Sequence, residues 1–225
     1  MKRAICLLAA GALAAGVSRG SVAVAQTDSP KPPPGFVALF NGRNLDGWQG
    51  AIPINRRARL SPEELKQAQE QANARVLPHW SVVDGVLTYD GKGDNLQTVR
   101  DFGNFELYLD WKIEKGGDSG IYLRGVPQVQ IWDNPIGSGG LYNNQRNPSR
   151  PLLVADRPVG EWNTFHIRMV GDRVTVRLNG QLVVDNTPLE NYWERDKPLP
   201  ERGPIELQHH GNPLWFRNIY LKELP

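Results

Sequence analysis

The stretch that decides the fold is residues 116–133, which reads Gly-Gly-Asp-Ser-Gly-Ile-Tyr-Leu-Arg-Gly-Val-Pro-Gln-Val-Gln-Ile-Trp-Asp. A β-strand sends alternate side chains to opposite faces. The apolar positions therefore share one face, and they are Ile121, Leu123, Val129 and Ile131. The polar and aromatic positions share the other face, and they are Tyr122, Arg124, Gln128, Gln130 and Trp132. The stretch predicts two neighbouring strands with one core face and one face equipped for a polar ligand.

A third stretch, near the C-terminus, repeats this alternation. In residues 204–211, apolar residues alternate with Glu206, Gln208 and His210. If the three strands line one surface, that surface combines amides, charged groups and aromatic rings. Amides and charges pair with hydroxyl groups, and rings cover the apolar faces of sugars, so this mixture is typical of a carbohydrate site.

Residues 1–25 predict a signal peptide. Lys2 and Arg3 precede an apolar run at 5–17, and small residues at 23–25 suit cleavage. An uncleaved anchor is the competing interpretation, but the apolar run is short for a bilayer span. The sequence therefore predicts an exported protein, periplasmic or secreted, with no membrane association after cleavage.

The charge balance changes when the signal peptide is removed. The chain has 26 Lys and Arg against 24 Asp and Glu, and loss of Lys2, Arg3 and Arg19 leaves 23 against 24. A nearly neutral mature protein without a basic cluster argues against nucleic acid as a partner. Cys6 is the one cysteine and also lies in this segment, so the mature chain has no thiol chemistry or disulfide.

The remaining chain predicts a Pro-rich linker at 26–35 and one β-sandwich domain at 36–225. Short alternating runs recur between Gly, Asn, Asp and Pro residues, which is typical of strands and turns. The clearest hairpin is residues 174–184, because Asn179-Gly180 suits positive φ at both central turn positions. The fold class is therefore all-β.

One segment has helical rather than strand character. Ser61-Pro62-Glu63-Glu64 is a capping box with Pro at the first helical position, and it predicts a helix over 61–75. We expect this helix to be an insertion on the surface between strands. The sequence leaves open whether it closes over the site as a lid or only decorates the surface.

A set of short motifs occurs in a defined order along residues 36–224. The motifs include Phe40-Asn41-Gly42, Leu45-Asp46-Gly47-Trp48, Trp80-Ser81-Val82-Val83-Asp84-Gly85, Phe105-Glu106-Leu107, Asp118-Ser119-Gly120-Ile121-Tyr122-Leu123-Arg124, Gln128-Val129-Gln130-Ile131-Trp132-Asp133, Gly160-Glu161-Trp162-Asn163 and His210-Gly211-Asn212-Pro213. Together and in this order, they resemble the 3-keto-disaccharide hydrolase domain family. The resemblance implies a concanavalin-like jelly-roll sandwich in an exported bacterial protein. It also implies activity on glycosides whose sugar is oxidised at C3. This chain departs from the family where Gln128 stands, because members often have Glu there.

A 3-keto sugar can lose its C1 substituent by elimination. The ketone acidifies the C2 hydrogen, a base removes it, the enolate expels the C1 oxygen, and water adds back to give net hydrolysis. The expected base is His210, because histidine titrates near neutral pH. Glu206 is expected to orient or ionise it, or to act as the acid. Arg124 is expected to stabilise the enolate by charge and hydrogen bonds.

Each of these three residues also has a structural interpretation. Arg124 and Glu206 could form a surface ion pair, and His210 could cap the turn at Gly211-Asn212-Pro213. His209 is expected by strand parity to face the core. The residues predicted to bind substrate are Asp118, Tyr122, Gln128, Gln130, Trp132, Asp133 and Gln208.

The sequence requires no cofactor, although a divalent metal is chemically plausible as a group that polarises the ketone. Two alternatives to the keto-glycoside enzyme stay open: a non-catalytic carbohydrate-binding sandwich that uses the same face, and an ordinary glycoside hydrolase. For the latter, Glu106, Tyr108 and Asp110 share a strand face that could supply a carboxylate. The sequence does not name the aglycone, the anomer or the oligomeric state.

Overall fold

The computed structural model describes Met1 and residues 32–225. Apart from Met1, the predicted signal peptide lies outside the described residues, and so does the predicted linker up to residue 31. Residues 32–36 lead through a turn into the first strand. Among the described residues, no helix is both long and apolar enough to cross a membrane.

The larger of two antiparallel sheets has eight strands. They are β1 (Val37–Ala38), β3 (Trp80–Val83), β4 (Val86–Tyr89), β6 (Phe105–Ile113), β9 (Asn163–Val170), β10 (Arg173–Leu178), β11 (Gln181–Pro188) and β13 (Leu214–Glu223). Their order across the sheet is β11-β10-β9-β6-β13-β4-β3, and β1 pairs with β13 beside this path.

The smaller sheet has five strands in the order β2-β5-β12-β7-β8. They are β2 (Trp48–Gly50), β5 (Leu96–Thr98), β7 (Asp118–Leu123), β8 (Val126–Trp132) and β12 (Glu206–Gln208). The stretch quoted first thus forms β7 and β8, which pair antiparallel, and the C-terminal stretch supplies β12 at the centre of the sheet. Apart from the β7–β8 hairpin, neighbours in this sheet are far apart in sequence, as expected of a jelly roll.

The core lies between the inner faces of the two sheets. In β6, the five alternate residues from Phe105 to Ile113 are buried and those between them are only half-buried. The facing strands of the small sheet contribute Ile121, Val129, Ile131 and Leu207, all fully buried. Two layers that bury alternating apolar residues against each other form a β-sandwich. The prediction of an all-β concanavalin-like sandwich with a short helical insertion is therefore confirmed.

The outer face of the large sheet is polar. Asp110, from β6, accepts hydrogen bonds from Thr164 Oγ1 at 2.7 Å, Arg217 Nε at 3.1 Å and Asn218 Nδ2 at 2.7 Å. Glu106 lies 3.4 Å from His166 Nε2. Asp110 and Glu106 belong to the large sheet, whereas the polar face of β7, β8 and β12 belongs to the small sheet. Their bonds tie neighbouring strands of the large sheet together.

The hairpin predicted at 174–184 is present. It joins β10 to β11 through Asn179 and Gly180, whose φ values are 51° and 84°. Positive φ at both positions is what a type I′ turn requires. The Asn179 side chain also accepts from Thr164 N at 3.0 Å and donates to Ala155 O at 2.8 Å, which fixes the turn against β9.

Two helices lie between β2 and β3: α1 (Ile54–Arg57) and α2 (Pro62–Val76), with a 3₁₀ turn at Leu77–His79. The capping box of α2 forms as predicted, because Glu64 N donates to Ser61 Oγ and Ser61 N donates to Glu64 Oε2 at 2.8 Å. The helix packs on β2 at Gly50. Gln69 Nε2 donates to Gly50 O at 2.8 Å, and Gly50 N donates to Asn73 Oδ1 at 2.9 Å. Short α1 has no counterpart in the sequence-based expectations.

We expect Gly50→Ala to destabilise the protein by about 1–3 kcal/mol, because the added Cβ would stand 2.6 Å from the Ala72 backbone and would push α2 away from β2. Chemical denaturation measures the loss. Gly103→Ala is the control, since its φ is not positive and the atom nearest to the added Cβ is the end of the flexible Arg202 side chain at 3.2 Å. Full stability in Gly50→Ala would contradict this packing.

Candidate functional site

The outer face of the small sheet brings together most of the residues singled out from the sequence. In the cross-strand register, Glu206 of β12 pairs with Tyr122 of β7, and Gln208 pairs with Gly120. On the other side of β7, Gly120 pairs with Gln130 and Asp118 pairs with Trp132. The predicted face is therefore continuous across three strands. Loops and α2 cover it, so Glu206, Gln128 and Gln130 are each less than a tenth exposed.

Two adjacent cavities open on this face and share Tyr122 and Trp193 as a common wall. The first, here named the Glu206 cavity, has a volume of about 340 Å³ and is bounded by α2 and by Arg56. The second, the His210 cavity, has a volume of about 370 Å³ and is lined by residues of β7, β8 and β12. Each volume lies within the range of small-molecule sites. The helical insertion thus forms a wall of the site, because Ala68 and Ala72 line the Glu206 cavity.

Glu206 is the one deeply buried carboxylic acid of this face. Burial raises the pKa of its carboxyl to about 8, which a hydrogen bond from Asn95 opposes and the nearby Asp94 carboxylate reinforces. Asn95 Nδ2 donates to Glu206 Oε1 at 2.5 Å. A carboxyl with a pKa near neutrality can both take and give a proton under physiological conditions, so it is suited to acid–base work.

Polar groups near the start of β5 and just after the end of β12 surround Glu206. Asn95 Oδ1 accepts from the His209 backbone N–H at 2.9 Å, so Asn95 connects Glu206 to the end of β12. His209 Nδ1 lies 3.0 Å from the Tyr89 hydroxyl and its Nε2 lies 3.5 Å from Asp94 Oδ1. The hydrogen bond from His209 lowers the pKa of Asp94, which therefore stays ionised beside Glu206. His209 was expected to face the core, but it is half-buried in this network.

A chain of amides crosses β7 and β8 beneath the His210 cavity. The Gln128 side-chain amide donates to Gln130 Oε1, and Gln130 Nε2 donates to Asp118 Oδ1 at 2.8 Å. Gly120 makes room for it, since a Cβ there would stand 2.8 Å from Gln128 Cδ. Asp118, Gln128 and Gln130 all line the cavity.

His210 and Gln208 face the same cavity. His210 is exposed and lies two residues beyond Gln208, the last residue of β12. The Gln208 amide nitrogen donates to the His209 carbonyl, whereas its buried Oε1 atom has no partner among the described residues. A buried acceptor without a partner costs free energy, so this amide is held at a cost to stability. Within residues 32–225, no hydrogen bond joins Glu206 to His210, and the two line different cavities, so the expected pairing is not present.

The loop residues 191–195 form the far wall of both cavities. The Trp193 indole donates to Gly125 O at 2.7 Å, and the rings of Tyr192 and Trp193 meet edge to face. Next to them, Glu190 accepts hydrogen bonds from the backbone at 145–147. Burial disfavours its charge, but these bonds outweigh that effect and lower its pKa to about 2. The loop that carries Asn143 is thereby held in place beside the cavity.

Arg124 does not belong to this site, and the prediction that it shares a face with Tyr122 is wrong. The β7–β8 register shifts between Ile121 and Leu123, so the strict alternation ends there. Arg124 then adopts φ 55° in the turn and is 4% exposed. Its guanidinium donates to Gly103 O at 2.9 Å, Pro200 O at 3.2 Å and Asn104 Oδ1 at 3.1 Å. These bonds give Arg124 a structural role, and the alternative interpretation, an ion pair with Glu206, is not found among the described residues either.

Trp132 and Asp133 lie at the far end of β8. The Trp132 indole donates to Gly137 O at 2.7 Å, and its ring contacts Tyr142 edge to face. Asp133 Oδ2 accepts from Gly116 N at 2.8 Å. Neither residue lines the Glu206 or the His210 cavity. Of the residues expected to bind substrate, the structure therefore gathers Asp118, Tyr122, Gln128, Gln130 and Gln208, but not these two.

Several wall residues were not singled out from the sequence, and they include Arg56, Asp94, Asn95 and Trp193. These four come from α1 and from loops, where no alternation marks them. The one usable signal was the polar turn Gly93-Asp94-Asn95 directly before β5. Among the described residues, no group of three His, Cys, Asp or Glu side chains is arranged to hold a metal ion.

Residues 35–222 match the family model described as "3-keto-alpha-glucoside-1,2-lyase-like domain". A protein of Bacteroides thetaiotaomicron named "3-keto-disaccharide hydrolase" is 26% identical, and the match covers 91% of this chain and 84% of that protein. The resemblance read from the ordered motifs is thereby confirmed.

Two solved structures from Parabacteroides distasonis ATCC 8503 are also similar, and each is described as a "putative glycosyl hydrolase". The first is 29% identical with a TM-score of 0.65 and covers 85% of both chains. The second is 27% identical with a TM-score of 0.59, and the match covers 84% of this chain and 99% of that one. The sandwich and most of its length are therefore shared with these proteins.

We expect Glu206→Gln to change how stability depends on pH. Between the ordinary carboxyl pKa of 4.5 and about 8, the folded protein keeps a proton that the unfolded chain has released. The contribution of Glu206 to stability therefore falls as the pH rises through this window. Since glutamine does not titrate, the stability of the variant relative to wild type should increase between about pH 5 and pH 8 by an amount on the order of a few kcal/mol. Urea denaturation at both pH values measures it, and an unchanged difference would contradict the raised pKa.

Proposed function

The chain belongs to the family of 3-keto-alpha-glucoside-1,2-lyase-like domains, and we propose that it is an enzyme that cleaves glycosides whose sugar carries a ketone at C3. The name of the Bacteroides relative supports a glycoside as substrate. The single observation that carries the proposal is the buried Glu206 carboxyl, with its pKa of about 8, in a cavity beside a face of sugar-binding side chains. The oxidised sugar needs a proton-transfer group of this kind, because its C2 hydrogen is acidic.

The first step is removal of the C2 hydrogen as a proton by ionised Glu206. The electron pair of the C–H bond forms an enolate on the C3 oxygen. Its collapse breaks the bond between C1 and the glycosidic oxygen, and that oxygen takes the proton back from Glu206. The products are the free aglycone and a 1,2-unsaturated 3-keto sugar, and Glu206 returns to its starting state. One group can serve as base and then acid because the two reacting bonds are on neighbouring carbons.

The second step is addition of water across the new double bond. The hydroxyl joins C1 and a proton joins C2, so the sum of the two steps is hydrolysis of the 3-keto-glycoside. The same carboxyl can take a proton from the water and deliver one to C2, since its pKa of about 8 keeps both protonation states populated near neutral pH. We assign proton transfer to Glu206 rather than His210, because His210 is exposed and stands at the edge of the second cavity.

Arg56 takes the electrostatic role that was expected of Arg124. Arg56 is an exposed residue that lines the Glu206 cavity, and its side chain has no ion pair or hydrogen bond with another described side chain. A cation at this wall stabilises the negative oxygen that develops when C2 loses its proton. The neighbouring Arg75 is less suited, since it lies 3.4 Å from Asp94.

The rest of the polar face holds the substrate. Asp118, Gln130 and Gln208 line the His210 cavity with a carboxylate and two amides that suit sugar hydroxyl groups. Tyr122 and Trp193, shared by both cavities, supply aromatic surface for a sugar ring. The oxidised ring occupies the Glu206 cavity and the aglycone extends into the His210 cavity.

We expect Glu206→Gln to lower kcat/KM for a 3-keto-p-nitrophenyl glucoside by about 10²–10⁴-fold, the usual worth of a proton-transfer group. In the wild type, kcat/KM should rise with pH as Glu206 ionises and level off above about pH 8. Released aglycone, separated by chromatography, measures both effects. His210→Ala is the matched variant in the neighbouring cavity and should reduce kcat/KM far less.

Each contrary outcome of this comparison points to a different alternative. A large loss in His210→Ala with little change in Glu206→Gln would assign the base to His210 instead. Equal or faster cleavage of the unoxidised glucoside would point to an ordinary glycoside hydrolase. Binding of the 3-keto-glucoside without turnover would point to a carbohydrate-binding sandwich.

We expect Arg56→Gln to reduce kcat by about 10–100-fold while KM changes little, because the charge acts on the enolate rather than on the bound substrate. Arg43→Gln is the control, since Arg43 is exposed and lines neither cavity. A proportional rise in KM at constant kcat would show instead that Arg56 only binds the substrate.

A further inference from the structure

A shared wall separates the Glu206 cavity from the His210 cavity. Among the described residues, Tyr122 and Trp193 are the two that line both cavities. In the binding mode proposed above, the oxidised ring occupies the first cavity and the aglycone extends into the second. The glycosidic oxygen that joins the two parts therefore passes this wall. A hydrogen-bond donor on the wall would meet that oxygen while its bond to C1 breaks.

Of the two wall residues, Tyr122 has the donor that is still available. The Trp193 indole already donates to Gly125 O at 2.7 Å. Within residues 32–225, the Tyr122 hydroxyl takes part in no hydrogen bond, and it is not one of the unpartnered atoms that are closed off from solvent. Tyr122 as a whole is half-buried. A ligand that crosses from one cavity to the other can therefore reach this hydroxyl.

The position of Tyr122 beside Glu206 suits a division of labour between the two side chains. They pair directly across β7 and β12, so their Cβ atoms are about 5 Å apart on one face of the sheet. The proposed reaction removes a proton at C2 and breaks a bond to oxygen at C1, and these carbons are neighbours in the ring. While Glu206 acts at C2, the adjacent Tyr122 can contact the oxygen on C1.

The surroundings of the Tyr122 phenol keep its proton in place. Burial raises the pKa of the phenol well above its usual range, and the nearby carboxyl groups of Glu206 in the first cavity and Asp118 in the second add to this effect. A phenol that stays protonated near neutral pH donates a hydrogen bond but does not give up its proton. Tyr122 is thus suited to stabilise a negative oxygen, whereas proton transfer stays with Glu206.

Departure of the aglycone is the step that needs such a donor. When the enolate collapses, the bond between C1 and the glycosidic oxygen breaks and its electron pair goes to that oxygen. The oxygen carries negative charge until Glu206 returns the proton. An alkyl or sugar alcohol is a far weaker acid than a phenol, so this charge is much less stable on it. A donor already placed at the oxygen stabilises the charge as it develops.

We propose that the Tyr122 hydroxyl donates a hydrogen bond to the glycosidic oxygen as it leaves, and that this donor adapts the site to glycosides of alkyl or sugar alcohols. The assignment rests on the cleavage proposed at Glu206 and makes Tyr122 a further catalytic residue of that reaction. Tyr122 keeps its proton throughout, so the gain and return of a proton by Glu206 are unchanged.

The test compares two 3-keto-glucosides, one with methanol and one with p-nitrophenol as the aglycone, in the wild type and in Tyr122→Phe. Phenylalanine keeps the ring and removes only the donor. We expect kcat for the methyl glycoside to fall about 10²-fold, as on loss of one donor to a developing oxyanion, and kcat for the p-nitrophenyl glycoside to fall less than about threefold. Tyr108→Phe is the control and should change neither value, since Tyr108 belongs to β6 of the large sheet and lines neither cavity.

Hydrogen exchange at C2 gives a second readout, which a damaged fold would not produce. In D₂O, an enolate that forms but fails to expel methanol takes up deuterium at C2 when it reverts. Methyl 3-keto-glucoside recovered from reactions with Tyr122→Phe should therefore carry more deuterium at C2 than substrate recovered from the wild type. Proton NMR spectra measure the difference, after subtraction of the exchange that occurs without enzyme.

Several results would overturn the role assigned to Tyr122. Equal losses with both glycosides would place Tyr122 at the enolate or in the scaffold instead, and undiminished cleavage of the methyl glycoside would show that no donor is needed. Slower cleavage without added deuterium would show that the defect precedes departure of the aglycone. If the wild type cleaves neither ketone, the proposed function itself fails and this assignment fails with it. The two kinds of failure are therefore distinguishable.

Discussion

The register of β12 between β5 and β7 is the constraint on which the site depends. Thr98 sets it, because Thr98 N donates to Ile205 O at 2.9 Å and Ile205 N donates to Thr98 Oγ1 at 3.0 Å. With this register, Leu207 points into the core and Glu206 points to the opposite face. A slip by one residue would exchange them. A carboxyl would then enter the apolar core, which is far more costly than its present position beside Asn95.

Burial of Glu206 is a consequence of the helical insertion. The outer face of the small sheet would be open to water if nothing lay on it, and an open carboxyl would titrate near its ordinary value. Helix α2 packs on β2 at Gly50 and brings Ala68 and Ala72 to the wall of the Glu206 cavity. Removal of water from this side accounts for the raised pKa. The segment that looks least like the rest of the sandwich therefore sets the acid–base property of its central strand.

Alternation allowed the sandwich, its polar face and the type I′ hairpin to be predicted, because each depends on residues close in sequence. It failed where the backbone leaves regular strand geometry. Arg124 follows a register shift and turns away, and His209 lies beyond the last residue of β12, so its parity carried no information. No sequence pattern placed Asp94 or Arg56 near Glu206. Their approach to Glu206 depends on how α1 and two loops fold back over the sheet, which is a tertiary property.

The amide of Gln128 explains why the proposed proton transfer is assigned to β12 rather than to β8. The Gln128 amide donates to Gln130, and Gln130 donates in turn to Asp118, so the chain of donors ends on one carboxylate. An ionised Glu at position 128 could only accept, and it would face the Gln130 oxygen. Gln130 would have to reverse its amide and give up the bond to Asp118, which would leave two repelling carboxylates above one cavity. With Gln128, the β7–β8 half of the face carries one carboxyl group, that of Asp118, beside two side-chain amides. The carboxyl with a pKa near neutrality is then on the neighbouring strand, at Glu206.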